Sequence, residues 1–250
     1  MSLSATNSRT SRVQPVFGWL AKHGGDDWPD QFLRLASGID RTDSCGKYKA
    51  IWLDPEREVP ASSTRLAWML RNVPRLAPVD GRRWQELQKR TQDGKKVQEA
   101  LAELDRGNLK RLSRGLCLEG KTHADCLIEC ERALIWIEGK RFDWLSPSVT
   151  WDVSRDQLAR NLEAVWILAA AEKKDYCLII CHEHPLKHHE QALVTGYRNC
   201  TWDAGWPHLP AEQRKQFSKR IGTVTWQKIA AEWPSLRDLP KLSDLTCPTV

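Results

Sequence analysis

The sequence predicts an α/β protein of the α+β type, with a mixed central sheet flanked by helices. Three observations predict it. Two strand-like runs, residues 125–130 and 133–140, are separated only by Glu131 and Arg132, which reads as a hairpin. An amphipathic helix follows at about 155–172, with Leu158, Leu162, Val165 and Ala169 on one face. It leads into Tyr-Cys-Leu-Ile-Ile-Cys, residues 176–181, apolar enough to be a buried strand. A hairpin, a crossover helix and a further strand require both antiparallel and parallel neighbours in one sheet.

Taken in order, residues 1–12 are rich in Ser and Thr, carry Arg9 and Arg12, and lack an apolar stretch. They read as a disordered tail rather than a signal peptide. Residues 13–80 read as an N-terminal helical region with Pro-rich connections, in which Ser63 caps a helix over 64–71. Residues 81–190 form the expected core. It opens with helices at about 84–91 and 96–104, divided by Asp93-Gly94 and ended by Gly107. Strands at 116–119, 125–130 and 133–140 come next. Ser154 and Gln157 form a capping box for the helix at 155–172, whose end Lys173 and Lys174 suit electrostatically. Residues 191–250 read as a C-terminal helical extension with short helices at 211–221 and 226–233.

Composition bounds the function classes. The chain has 250 residues, enough for one substantial core, and 38 Lys+Arg against 32 Asp+Glu give a net charge of +6. That mild basic bias is compatible with a phosphate-rich partner. No run is long and apolar enough to span a bilayer, so no membrane partner and a cytoplasmic location are expected. Cys126 and Cys130, like Cys177 and Cys181, are spaced by four within apolar runs. They read as reduced, buried core residues. Most of the 13 Trp should pack in the core, while Trp144 and Trp151 fall in a loop where they could stack on a base.

The hairpin carries the chemistry. With its turn at Glu131 and Arg132, Glu129 pairs with Leu134, Leu127 with Trp136, and Asp125 with Glu138. Side chains alternate along a strand, so Glu138 and Lys140 share a face, with Asp125 opposite Glu138. Two carboxylates in direct opposition destabilise a hairpin unless something offsets their charge. A divalent cation does so: Mg²⁺ takes hard oxygen ligands, commonly one or two carboxylates together with substrate phosphate. Lys140 then stands where an ammonium orients a water nucleophile or stabilises a phosphate oxygen.

Asp125, followed by Glu138-Gly139-Lys140 at the end of the next strand, resembles the motif of the PD-(D/E)XK nuclease superfamily, whose members share a restriction-endonuclease-like fold. The helix that begins with Gln157 and the strand at 176–181 match the layout that follows the lysine strand in that family. The matched region covers about residues 116–181. The resemblance implies a Mg²⁺-dependent nuclease, with Mn²⁺ as a possible substitute, acting on nucleic acid and first of all on DNA. It implies catalytic roles for Asp125, Glu138, Lys140 and Gln157, and metal ligation by Asp125, Glu138 and the carbonyl of Gly139. Glu86, Glu99, Glu103 and Glu119 are candidates for a third acid. The chain departs from the pattern at Ala124, where Pro often stands, and at Asn161, where some branches carry Tyr in Q-x-x-x-Y. The tripeptide recurs at Asp93-Gly94-Lys95, Glu119-Gly120-Lys121 and Glu172-Lys173-Lys174. Only Glu138 ends an apolar strand with an acid opposed to it.

The alternative is a non-catalytic nucleic-acid-binding or scaffold subunit on the same fold, within a restriction, repair or defence system. A homodimer or a partner protein is compatible with either reading. His182, His184, His188 and His189 lack the spacing of a known zinc site and read as a polar loop, with His182 or His184 near the active edge. Basic residues at 106–114 (Arg106, Lys110, Arg111, Arg114) and at Arg214, Lys215, Lys219 and Arg220 suit either a phosphate rim or a solvated face.

Overall fold

The computed structural model describes residues 7–40, 43–53, 56–76, 81–107, 118–141, 145–149, 152–183, 186, 188–202 and 204–245. The helices are α1 (Gln14–His23), α2 (Trp28–Leu35), α3 (Ser63–Arg71), α4 (Gly81–Thr91), α5 (Gly94–Asp105), α6 (Gln157–Glu172), α7 (His188–Arg198), α8 (Ala211–Ser218) and α9 (Trp226–Glu232). The strands are β1 (Tyr48–Trp52), β2 (Glu58–Val59), β3 (Thr122–His123), β4 (Cys126–Cys130), β5 (Ala133–Lys140), β6 (Asp175–His182) and β7 (Ile221–Thr225).

The central sheet is mixed and flanked by helices, as expected, with the order β1-β4-β5-β6-β7. β1, β4 and β5 run antiparallel, while β5, β6 and β7 run parallel. α6 supplies the crossover from β5 to β6, and α7 and α8 that from β6 to β7. β5 lies at the centre and is buried along its whole length. Its alternate residues feed two cores. Ile135 and Ile137 face Val13, Phe17, Trp28 and Trp226, whereas Leu134 and Trp136 face Leu158, Leu162 and Tyr197. A third apolar cluster holds α3, α4 and α5 together. Among the described residues, no helix is long and apolar enough to cross a membrane.

Several sequence expectations need correction. Residues 13–80 are not only helical, because β1 pairs with β4 as the sheet's first strand. Residues 191–250 are likewise more than a helical extension. The helix expected at 211–221 stops at Ser218, and Ile-Gly-Thr-Val-Thr continues as β7, where β-branched residues suit a half-buried strand. The tail reading fails for residues 9–12: a helical turn over Arg9–Val13 leads into α1, with Arg12 fully buried. Leu118 and Glu119 are not in a strand, and Leu116 lies outside the described residues. Thr122–His123 pairs instead with Glu58–Val59 as a separate two-stranded sheet.

Two caps also differ. Ser62, not Ser63, caps α3 by accepting from the Arg65 N–H. Asp156, not Ser154, caps α6 by accepting from the Ala159 N–H, and its other oxygen takes the Tyr197 hydroxyl at 2.5 Å. Ser154 is drawn into a turn by Asp152, which accepts from both its N–H and its hydroxyl. At the other end of α6, Lys173 adopts φ +54, while Lys174 pairs with Glu129 at 2.6 Å and Glu172 at 2.9 Å.

A buried ion network ties α3 to α6. Arg65 binds Glu119 and Asp152, and Arg155 binds Glu119 and Glu163. Glu163 also takes the Ser62 hydroxyl and lies 3.0 Å from the His208 ring. Burial opposes ionisation of Glu163, but Arg155, His208 and Ser62 outweigh it and hold the carboxyl down at about 2.

Candidate functional site

The hairpin adopts the expected register: Glu129 pairs with Leu134, Leu127 with Trp136, and Cys126 with Ile137. One step further along this ladder, Asp125 stands opposite Glu138. Asp125 lies just ahead of β4, and its Oδ2 accepts the Gly139 backbone N–H at 2.9 Å. Glu138 lies on the α6 side of β5 and is 3% exposed. Its Oε1 accepts from Gln157 Nε2 at 2.7 Å and lies 2.9 Å from Lys140 Nζ. Its Oε2 accepts from Asn161 Nδ2 at 2.8 Å. Gln157 opens α6 and Asn161 follows one turn later on the same helix face, so two amides grip one carboxylate. Asn161 is anchored in turn by the Thr122 hydroxyl, which donates to its Oδ1 at 3.0 Å.

The structure thus gathers Asp125, Glu138, Gly139, Lys140 and Gln157. It adds two residues to which the sequence reading gave no role. Asn161 was noted only as a departure from the family pattern, and its contact depends on the phase of α6 against β5. Glu56, between β1 and β2, raises the pKa of Asp125 through its charge. Burial is the largest influence on Asp125 and the charge of Glu138 the next. Together they push its pKa up to about 8, against the opposing pull of the Gly139 N–H and Lys140.

The four glutamates considered as a third acid have other engagements. Glu119 is clasped by Arg65 and Arg155, Glu86 pairs with Arg90, Glu103 pairs with Arg106, and Glu99 is exposed on α5. Among the described residues, no group of three or more His, Cys, Asp and Glu side chains is arranged to hold a metal ion.

Segments from both ends of the chain pack against this site. A Cβ on Gly139 would lie 2.3 Å from Val13 Cγ2, so only glycine admits the N-terminal helix so close. Trp226 Nε1 donates to the Lys140 carbonyl at 3.0 Å. Arg12 and Arg141 both bind Glu183 and Asp244, closing a four-membered ion cluster beyond the ends of β5 and β6.

Of the remaining candidates, His182 ends β6 in register with Lys140, and His188 begins α7 with His189. Trp144, Trp151, His184, Lys110, Arg111 and Arg114 lie outside the described residues. Lys219 pairs with Asp40 and Arg220 with Asp175, while Arg214 and Lys215 lie on α8. Cys126, Cys130, Cys177 and Cys181 are buried free thiols, and Trp28, Trp136, Trp206 and Trp226 are buried in the cores. No protein-family model, curated protein or solved structure matches the chain, so the functional reading rests on the geometry of the site itself.

Proposed function

We propose that the chain is a metal-dependent nuclease that hydrolyses phosphodiester bonds of nucleic acid, DNA first among them. One observation carries this reading. Two carboxylates meet across the β4–β5 hairpin, one with a strongly raised proton affinity, and a lysine ammonium lies 2.9 Å from the other. The donor set fits Mg²⁺, or Mn²⁺ in its place. The oxygens are hard, and the raised pKa of Asp125 marks negative charge that a divalent cation offsets. Asp125 and Glu138 would hold the ion, with the Gly139 carbonyl as a further oxygen, and when bound it supplies Lewis-acid stabilisation of charge developing on the phosphate.

The chain's own residues do the rest. Lys140 orients the attacking water or a non-bridging phosphate oxygen. Gln157 and Asn161 fix the Glu138 carboxylate in one orientation, and the Gly139 N–H fixes that of Asp125.

A second reading, a non-catalytic nucleic-acid-binding or scaffold subunit, is favoured by one specific observation. Glu138 is almost wholly buried and already receives two amides and an ammonium, as a structural polar contact would. The experiment that separates the two is incubation with Mg²⁺ or Mn²⁺ and plasmid, linear duplex, single-stranded DNA and RNA in turn. Cleavage should stop with chelator and fall about 100-fold or more in Asp125→Ala, Glu138→Ala and Lys140→Ala. Lys121→Ala and Lys174→Ala, which carry the same tripeptide in other settings, should cut like the wild type. Failure to cleave any substrate would make the scaffold reading the better one.

A further inference from the structure

Lys140 does not end its row of the sheet. Its neighbour across β5–β6 is His182, and the neighbour of His182 across β6–β7 is Thr225. In a parallel sheet, residues in register share a face. Lys140, His182 and Thr225 therefore form a line along the carboxyl ends of the three parallel strands, about 10 Å long at two strand spacings.

At its far end the line opens into a cavity of about 230 Å³ beside the carboxyl ends of β6 and β7. Its polar lining comes from His182, Thr223, Thr225, Lys228, Gln191 and Ser37. No described lining residue is acidic, although the chain carries 32 Asp and Glu. Lys228 is exposed at the start of α9. The Thr225 oxygen accepts the Lys228 backbone N–H at 3.1 Å, which leaves the hydroxyl proton to donate outward. At about 30 Å³ per water molecule, the space takes a phosphate with its sugar and little more. A different hollow, lined by Asp27, Asp30 and Asp43, has the opposite character and would repel an anion.

We infer that this groove is a phosphodiester subsite. It seats a backbone phosphate of the strand whose scissile bond lies at Asp125 and Glu138, so that the strand runs outward from β5 across β6 to β7. Lys228 supplies the charge, and Thr225, Gln191 and His182 supply polar contacts. This inference rests on the nuclease reading for what occupies the neighbouring position, but its test does not depend on cleavage.

The test uses a fluorescently labelled single-stranded oligonucleotide and the full chain in chelator, with binding followed by anisotropy over a range of salt. Lys228→Gln should weaken binding several-fold and lower the slope of log K against log salt by about 0.7, the value for one lost phosphate contact on a single strand. Lys228→Arg should restore both. Lys215→Gln, which removes an exposed lysine on α8, should change neither. In cleavage assays Lys228→Gln should raise KM with kcat unchanged.

The subsite is refuted if Lys228→Gln keeps the wild-type affinity and slope, if Lys215→Gln is equally damaging, or if the wild type does not bind the oligonucleotide. Wild-type cleavage combined with an unaffected Lys228→Gln would remove the subsite and leave the nuclease standing. Loss of binding in Lys228→Gln, with no cleavage by the wild type, would do the reverse.

Discussion

Replacing Asp125 with Asn tests the electrostatics of the site through folding stability. The carboxyl of Asp125 is raised from its ordinary value of 3.8 to about 8, by burial first and by Glu138 second. A carboxyl with a higher pKa in the folded state binds its proton preferentially there. Stability is therefore lost as pH rises from about 4 toward 8, and the loss is constant above that. Asn cannot ionise, yet its oxygen still accepts the Gly139 N–H, so the variant escapes the loss. Asp125 is partly exposed, and solvent screens the field that acts on it. Carrying half of the rise into stability gives about 3 kcal/mol, at about 1.4 kcal/mol per pKa unit. For a chain of this size that corresponds to a melting temperature roughly 6–12 °C higher. Thermal melts in chelator should show this advantage at pH 8.5 and almost none at pH 4. Mg²⁺ should then stabilise the wild type alone, by about 2.7 kcal/mol at a hundredfold excess over Kd, and nearly close the gap. An Asn variant that is less stable throughout, or an advantage that does not vary with pH, would refute the charge-opposition argument.

Three other perturbations probe the surroundings. Glu163→Gln removes a carboxylate whose pKa is held near 2 against an ordinary 4.5, and should destabilise the chain by about 3 kcal/mol at pH 7. The difference from wild type should shrink as pH falls below 4.5 and vanish near 2 in urea titrations, since a depressed carboxyl contributes only while ionised. Gly139→Ala should cost about 1–3 kcal/mol by overpacking against Val13, and Val13→Ala should recover most of it in the double variant, as denaturation midpoints would show. Asn161→Leu leaves one oxygen of Glu138 and the Thr122 hydroxyl without their amide, and should cost about 1–3 kcal/mol in the same assay.

The hairpin was legible because two turn residues and an apolar alternation of period two leave few registers, and a slip of one residue would send Trp136 and Leu134 to the wrong face. Gln157 was legible as the first residue of a helix that had to follow the lysine strand. β1 and β7 were not. Each has five residues, is only partly buried along its length and sits among Pro-, Trp- or Gly-containing segments, so its local signal is weak. In β1 the alternation of Tyr48, Ala50 and Trp52 was available as a clue. Asn161 and Glu56 reach the site only through tertiary packing, which no local pattern encodes. The same is true of Arg12, whose partners Glu183 and Asp244 lie more than 170 residues away.

Those long-range partners change how the site is to be understood. An isolated hairpin with two opposed carboxylates would splay, because their repulsion acts at its open end, furthest from the turn. Here that end is closed from three directions. α6 holds Glu138 through Gln157 and Asn161. Val13 lies against Gly139, where a side chain would exclude it. Trp226 holds the Lys140 carbonyl, and the next residue, Arg141, is tied through Glu183 and Asp244 to Arg12. The first and last described helical segments are thus part of the frame around the acidic pair rather than appendages to a finished core. The stability of the chain and the charge opposition at Asp125 and Glu138 are consequently one problem. Packing by both ends of the chain keeps the two carboxylates together, and that enforced proximity is what a divalent cation would relieve.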